Sequence, residues 1–494
     1  MKKFFFPLSV FLFILLSGSG FALDVKAQVE TQSFSVESSY DLFGRKEMET
    51  VLIHTTNVAY FYVEKPWWLT QSAEEQNVLR IALAELGLEF QNRIYPVLTS
   101  TFGSEPKPGI DKDERIIIVI HRMGGEAGGY FQTGNAYSKF QSPGSNEREM
   151  LYLNSQYIGK PEAKSFLAHE FVHLITVNQK NLLRRVSEAT WLEEARAEYA
   201  PTLLGYDDTY QGSNLERRVR EFIAKPSDAL TEWLDKKEDY GSVNLFIQYV
   251  VDQYGIEILA DSLQSSKTGI SSLEEALRKN GFQKDFAHIY KDWVVAVLVN
   301  DCALGERYCY RNKNLQNLRI TPVFYLLPAG ETIFSTYHQA LPWSPSWHRL
   351  TGGGQKLILE FKGKDVGDFE VPYMLCDSKD KCSVGFLVLD STQKGTIVVP
   401  DFDTQYRSLT IAPFIQGNAL ESNEGGGSFS FSWQATVQKN PGGTESAESM
   451  SQLLARIAEL QEQVRQLQVR LAATRGQTSI PAVSCARFEI DLSP

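Results

Sequence analysis

Between Glu162 and Val177 the chain carries neither Gly nor Pro, and inside that stretch stands His169-Glu170-Phe171-Val172-His173. The lack of breakers and the apolar residues Phe166, Leu167, Phe171, Leu174 and Ile175 predict a helix that is apolar nearly all round, hence a buried one. On such a helix His169 and His173 lie one turn apart on one face. Two unliganded imidazoles in a core are costly unless hydrogen-bonded. The helix is therefore either a core element with two satisfied histidines or one half of a metal site. The H-E-x-x-H spacing favours the metal site. Both imidazoles can point at one zinc ion, and Glu170 then sits beside the ion's open position, where it can take a proton from a bound water.

A catalytic zinc needs a third protein ligand. A third histidine in the metzincin arrangement is excluded, because Thr176 and Gln179 occupy the positions where that longer motif has Gly and His. The segment Trp191-Leu192-Glu193-Glu194-Ala195-Arg196-Ala197-Glu198-Tyr199 reads as a second helix, partly buried through Trp191, Leu192 and Ala195. Glu194 and Glu198 share one face, and Glu193 points about 100° away. Glu194 is the expected ligand and Glu198 a carboxylate that orients a ligand histidine. The alternative is a solvated acidic helix face.

His169-Glu170-x-x-His173 followed by Trp191-Leu192-Glu193-Glu194-Ala195 resembles the gluzincin pattern, typically Trp-Leu-Asn-Glu-Gly in the second block. Within that group the chain is most similar to the hyicolysin-type zinc metallopeptidases. Four further stretches carry the similarity: Arg115–Ile120, Glu149–Asn154, Tyr240–Phe246 and Tyr249–Gly255. It extends over about residues 40 to 300, and Glu193, Ala195 and Arg196 depart from the usual residues. The resemblance implies an α+β zincin-like (thermolysin-like) catalytic domain, a Zn2+ cofactor and peptide-bond hydrolysis with Glu170 as general base. It also implies a donor for the tetrahedral oxyanion, often Tyr or His in gluzincins. Tyr240 is the preferred candidate and Tyr199 the second. The strand at Glu149–Asn154 is either the edge strand that accepts an extended peptide or an ordinary core strand.

The chain opens with Lys2 and Lys3, an apolar run from Phe4 to Leu16, and small residues up to Ala22, which together read as a signal peptide over 1–22. This predicts a secreted, cell-surface or periplasmic protein. The net charge of −11 argues against nucleic acid as a partner. Cys302 with Cys309, and Cys376 with Cys382, read as two small-loop disulfides of an exported protein, with Cys485 left over.

Residues 28–300 are expected to form the catalytic domain, with 28–65 an N-terminal β segment that is either removable or part of the fold. Residues 71–99 read as one amphipathic helix, capped by Ser72 with Glu75 three residues on. Asp111, Asp113 and Glu114 lack the spacing of a calcium loop and read as a solvated turn. Residues 122–147, with Gly124-Gly125 and Gly128-Gly129, read as a long loop at the cleft. From 301 to 438, short β-branched runs such as Lys356–Phe361 and Thr396–Val399 predict an all-β sandwich-like domain, which either binds substrate or cell-surface polymer or supports the catalytic domain. Residues 439–449 form a linker and 474–494 a tail. Over 450–473, Met450, Leu453, Ile457, Leu460, Val464, Leu467 and Leu471 alternate three and four apart, the seam of a C-terminal coiled-coil helix of about three heptads. The seam predicts self-association or a helix that folds back on the body.

Two functions follow. One is a secreted zinc-dependent endopeptidase acting on protein or peptide substrates. The other is a non-catalytic surface or binding protein on a peptidase-like fold. Retention of Glu170 beside His169, His173 and Glu194 favours the enzyme.

Overall fold

A computed structural model describes residues 30–364, 367–417 and 427–438, together with the single residue Gln466. The expected signal peptide 1–22, the linker 439–449, the heptad seam of 450–473 with the self-association it predicts, the tail 474–494 and Cys485 lie outside the described residues. Among the described residues no helix is long and apolar enough to cross a membrane. The chain divides into two compact units, one running to Ile320 and taking in Pro342–Pro345, the other containing Thr321–Leu341 and Ser346–Gln416.

The first unit holds a six-stranded mixed sheet of β1 (Thr31–Ser35), β2 (Glu47–Thr55), β3 (Ala59–Glu64), β4 (Ile116–His121), β5 (Gly129–Tyr130) and β6 (Met150–Asn154), in the order β1-β2-β3-β4-β6-β5. β3, β4 and β6 are parallel, and β5 runs antiparallel to β6. β4 and β6 are buried along their whole length, so they read as continuous apolar runs without alternation. The N-terminal segment is built into this body: β1 pairs with β2, and Phe34 packs with Met48, Tyr62, Met150 and Tyr152.

The sheet order decides between the two sequence readings of Glu149–Asn154. β6 is flanked by β4 and β5, so it is a core strand, and the sheet's two edges are β1 and the two-residue β5. β5 comes from the Gly-rich region that the sequence presented only as a loop.

The helices of this unit are α1 (Lys65–Thr70), α2 (Ala73–Glu89), α3 (Tyr95–Phe102), α4 (Glu162–Thr176), α5 (Thr190–Leu203), α6 (Asn214–Ala224), α7 (Lys237–Tyr254), α8 (Glu257–Leu263), α9 (Gly269–Lys279) and α10 (Phe286–Val299). The cap expected at Ser72 is present: the Glu75 amide donates to Ser72 Oγ at 3.2 Å, and the Ser72 amide to Glu75 Oε2 at 2.8 Å. The single helix expected over 71–99 is interrupted. Pro96 has no amide hydrogen and its ring crowds the preceding turn, and the chain answers with a π turn over Phe90–Ile94, in which the Tyr95 amide reaches the Phe90 carbonyl. The Asp111–Glu114 turn is satisfied by protein groups. Asp111 accepts from Arg148 at 2.8 Å, and Asp113 from Arg115 at 3.2 Å and from the Tyr60 hydroxyl at 2.9 Å.

The helical packing continues past residue 300. The Cys302–Cys309 disulfide closes a short loop, and the buried Tyr310 hydroxyl donates to the Leu245 carbonyl at 3.0 Å and accepts from Trp293 Nε1 at 2.8 Å. Residues 301–320 therefore pack with the helices, and the β-rich unit starts at Thr321.

In the second unit the strands alternate inward apolar and outward polar residues. Gln355–Gly363 buries Leu357, Leu359 and Phe361, and its neighbour Phe429–Gln438 buries Phe431, Trp433, Ala435 and Val437. The Cys376–Cys382 disulfide joins two adjacent antiparallel strands. Against this core lies a histidine pair. The His348 and His338 rings are 4.4 Å apart, and His348 is buried, with Nδ1 3.2 Å from the Tyr325 hydroxyl and Nε2 2.9 Å from Ser346 Oγ. Burial and the neighbouring His338 imidazole push His348 down from 6.5 to about 3. The unfolded chain therefore takes up a proton first. This stabilising contribution is complete above the unfolded value and is lost as pH falls from 6.5 toward 3. Thermal unfolding between pH 7.5 and 4.5 should show a loss of up to about 1.4 kcal/mol per pH unit from this one group. His348→Gln should remove that share of the slope, whereas equal slopes in the two proteins would show that His348 titrates normally.

Candidate metal centre

α4 supplies His169, Glu170 and His173, and α5 supplies Glu193, Glu194 and Glu198. A buried ionic contact sets how the chain returns from one helix to the other. Lys180 follows α4, Glu188 precedes α5, and Arg196 lies within α5. Glu188 Oε2 is 3.2 Å from Lys180 Nζ and 2.8 Å from Arg196 Nη2, and all three side chains are 0% exposed. Lys180 also donates to the carbonyls of Ser262 and Ser265 at 2.8 and 3.0 Å, and Arg196 to Ser262 Oγ at 2.9 Å. Burial pushes Lys180 down to about 8. Arg196, a departure from the gluzincin pattern, is thus part of the clamp that holds α5 against α4.

Between the helices the side chains of His169, His173 and Glu194 converge. One ligand-capable atom from each lies within 4.8 Å of the others. His169 Nε2 is 3.2 Å from His173 Nε2 and 3.3 Å from Glu194 Oε2, and His173 Nε2 is 3.7 Å from Glu194 Oε1. Glu170, buried on the same helix as the histidines, has its proton affinity raised by that burial.

The other ring nitrogens are turned outward to carboxylates. His173 Nδ1 is 2.9 Å from Glu193 Oε1, and His169 Nδ1 is 3.3 Å from Glu198 Oε1. Glu198 in turn takes Arg218 Nη2 at 2.5 Å, Arg218 Nε at 2.7 Å and Asn214 Nδ2 at 2.9 Å. Burial favours the protonated form of Glu198, yet the Arg218 charge and the His169 hydrogen bond hold it well below the usual carboxylate range. Glu198 therefore stands where the sequence expected an orienting carboxylate. Glu193 differs from expectation. Its side chain curls from its own helix face to reach His173, a contact that helical angle alone does not foretell.

This donor set suits a divalent cation. Two imidazole nitrogens and a carboxylate face one point, and carboxylates on the far ring nitrogens leave the inward nitrogens free to bind. Glu194 Oε2 is buried and has no hydrogen-bond donor. Burial disfavours a charged His169, yet the neighbouring Glu194 and Glu198 carboxylates raise its proton affinity to about 10, so the carboxylates at this point favour a positive charge. Among the described residues this is the only cluster of metal-ligating side chains found.

The surroundings narrow the site on one side. A Cβ at Gly129 would lie 2.6 Å from the Tyr152 carbonyl oxygen and 3.0 Å from Glu170 Cγ, so only glycine lets β5 approach Glu170 this closely. Phe131 lies parallel to the His173 ring, centroids 6.3 Å apart. Tyr240 is near the start of α7 with its hydroxyl donating to Asp235 Oδ1 at 2.9 Å and the Arg218 guanidinium 4.4 Å over its ring. Burial and the charges of Glu194, Asp235 and Glu198 keep its phenol protonated. Burial, with the charges of Asp252 and Asp207, raises the proton affinity of Tyr199, the second candidate.

No protein-family model matches the chain. It is 27% identical over 221 residues to a protein named neutral metalloprotease ShpI from Staphylococcus hyicus, with 40% of this chain and 48% of that protein covered. The chain is thus a distant relative of a metalloprotease and spans about half of that relative's length. Among solved structures, the Yersinia pseudotuberculosis-derived mitogen aligns at 12% identity over 24% of this chain and 93% of that one, with a TM-score of 0.16. The family GH115 4-O-methyl-alpha-glucuronidase BtGH115A aligns at 9% identity over 68% and 53%, with a TM-score of 0.13. Neither structural likeness bears on the fold or the site.

Arg218→Met leaves Glu198 as a buried carboxylate without its counter-charge. The expected cost is about 3–5 kcal/mol in urea unfolding of the first unit. A cost below about 1 kcal/mol would show that Arg218 does not hold Glu198 in place.

Proposed function

We propose that the chain is a secreted zinc-dependent endopeptidase with a zincin-like catalytic unit. The observation that carries this reading is the convergence of His169, His173 and Glu194 beside the buried Glu170. The relative named a metalloprotease supports the same class. His169, His173 and Glu194 would hold the zinc. A zinc ion so bound supplies Lewis acidity, acidifying a water and polarising a carbonyl oxygen.

The remaining steps belong to the protein. Glu170 accepts the proton of the attacking water and delivers it to the departing amine. Glu198 and Glu193 hold the tautomers and directions of His169 and His173. Tyr240 keeps its proton and, on turning from Asp235, would donate it to the oxygen of the scissile carbonyl as that oxygen gains charge. The free edge of β5 accepts an extended peptide as an added strand, which draws the scissile bond past Glu170. An unfolded polypeptide is the natural substrate of such an edge, because it can adopt the strand conformation without breaking its own sheet.

The purified protein should hold about one zinc per chain, and a chelator should abolish peptide hydrolysis, with activity returning on zinc addition. Glu170→Gln should retain the zinc and lose at least about 10²-fold in kcat. A Glu170→Gln protein that hydrolyses peptide at the wild-type rate would falsify the mechanism.

A further inference from the structure

The Gly-rich stretch ahead of β5, helix α6 and the start of α7 enclose a cavity of about 570 Å³. Its lining is rich in charge, and nearly all of that charge is matched. Glu126 pairs with Lys237 at 2.5 Å, Glu221 with Arg218 at 2.7 Å, Arg220 with Glu216 at 3.3 Å and Lys225 with Glu238 at 3.5 Å. Arg217, which also lines the cavity, is the exception. Among the described residues no carboxylate pairs with it: Nη2 donates to Asn214 Oδ1 at 2.6 Å, and Nε is buried without an acceptor. Burial and the adjoining Arg218 charge lower its proton affinity, so the guanidinium is a cation in surroundings that disfavour one. Such a group gains strongly from an anion that reaches it.

The cavity adjoins the proposed cleft. Phe166 lies on α4 about one turn before His169 and Glu170. The Arg217 guanidinium carbon is 5.5 Å from the centroid of the Phe166 ring, and a Cβ at Gly128 would lie 2.4 Å from the same ring. Gly128 precedes Gly129, which lies against Glu170 on the edge strand. One aromatic ring therefore stands between Arg217 and the backbone that would carry the peptide. The next residue, Arg218, is already committed to Glu198 and Glu221. The Glu126–Lys237 pair spans from the Gly-rich stretch to α7, but both side chains are largely exposed, and an exposed pair offers little resistance to an entering side chain.

We propose that Arg217 is a specificity-determining residue, which captures a carboxylate of the peptide substrate in this cavity. This rests on the peptidase reading above and adds a substrate class to it. The forked N–H donors of a guanidinium match a carboxylate in both shape and charge. A substrate that places a neutral amide there leaves the guanidinium without a counter-charge and is cleaved more slowly.

The test uses the full mature chain and quenched-fluorescent peptides, amidated at the C-terminus, that differ only by Glu or Gln at each position flanking the cleaved bond in turn. A further pair differs only in a free or an amidated C-terminus. The readout is kcat/KM, with zinc content and melting temperature measured alongside. At one position the wild-type protein should favour the Glu peptide about 10- to 10²-fold over the Gln peptide. Arg217→Gln should bring that ratio to about one with zinc content unchanged. A preference confined to the free-acid pair supports the capture and assigns the carboxylate to the peptide terminus. Where Arg217→Gln does not fold, Arg217→Lys carries the test and should lower the ratio at least about threefold, because a point charge lacks the fork. Wild-type cleavage with no preference for a carboxylate overturns the proposal, and so does a preference that survives intact in the Arg217 variant. Both results leave the peptidase reading standing. If the wild-type protein cleaves neither these peptides nor an unfolded protein, the peptidase reading itself fails and the proposal falls with it.

Discussion

Glu188, buried between Lys180 and Arg196, is the contact on which the rest of the site depends. It joins the end of one site helix to the start and middle of the next, so the angle at which Glu194 faces His169 and His173 is set by a buried triad. Removing one partner from such a group leaves a charge stranded in low dielectric, a cost of several kcal/mol that selects against alternative returns of the chain. The convergence of three ligand-capable atoms within 4.8 Å follows from that clamp.

The second layer of the site is electrostatic. Each histidine meets a carboxylate at its outer nitrogen, Glu198 for His169 and Glu193 for His173. Arg218 anchors Glu198, while Glu193 is partly exposed and pairs with His173. The carboxylates around the two imidazoles therefore favour a positive charge at this point. In the proposed enzyme burial, with the charges of Glu194, Asp235 and Glu198, keeps the phenol of Tyr240 protonated.

The helices of the site were legible because helical spacing is local. His169 and His173 four apart, and Glu194 and Glu198 four apart, need only the 3.6-residue turn to be placed on faces. What stayed hidden depends on the tertiary fold. The reach of Glu193 to His173 depends on how α5 lies across α4. Arg196 reads as a substitution in a motif until Glu188 is brought beside it. β5 is two residues long and has no periodicity, and Gly128-Gly129 signalled only a loop. The stack of Tyr40 on Tyr130 joins segments 90 residues apart in sequence, which no local pattern announces. The break at Pro96 was legible in principle, since proline mid-helix removes an amide, but the apolar period around it concealed the break.

In the proposed enzyme one zinc sits between two histidines of α4 and a glutamate of α5. Zinc K-edge X-ray absorption on the purified mature protein tests it most directly. The expected spectrum is that of a single zinc with two imidazole nitrogens and carboxylate or water oxygens at about 2.0–2.2 Å and no sulfur. The imidazole scattering is expected to be lost in a His169→Ala, His173→Ala protein. Zinc bound through sulfur, or an unchanged spectrum after both histidines are removed, would contradict it.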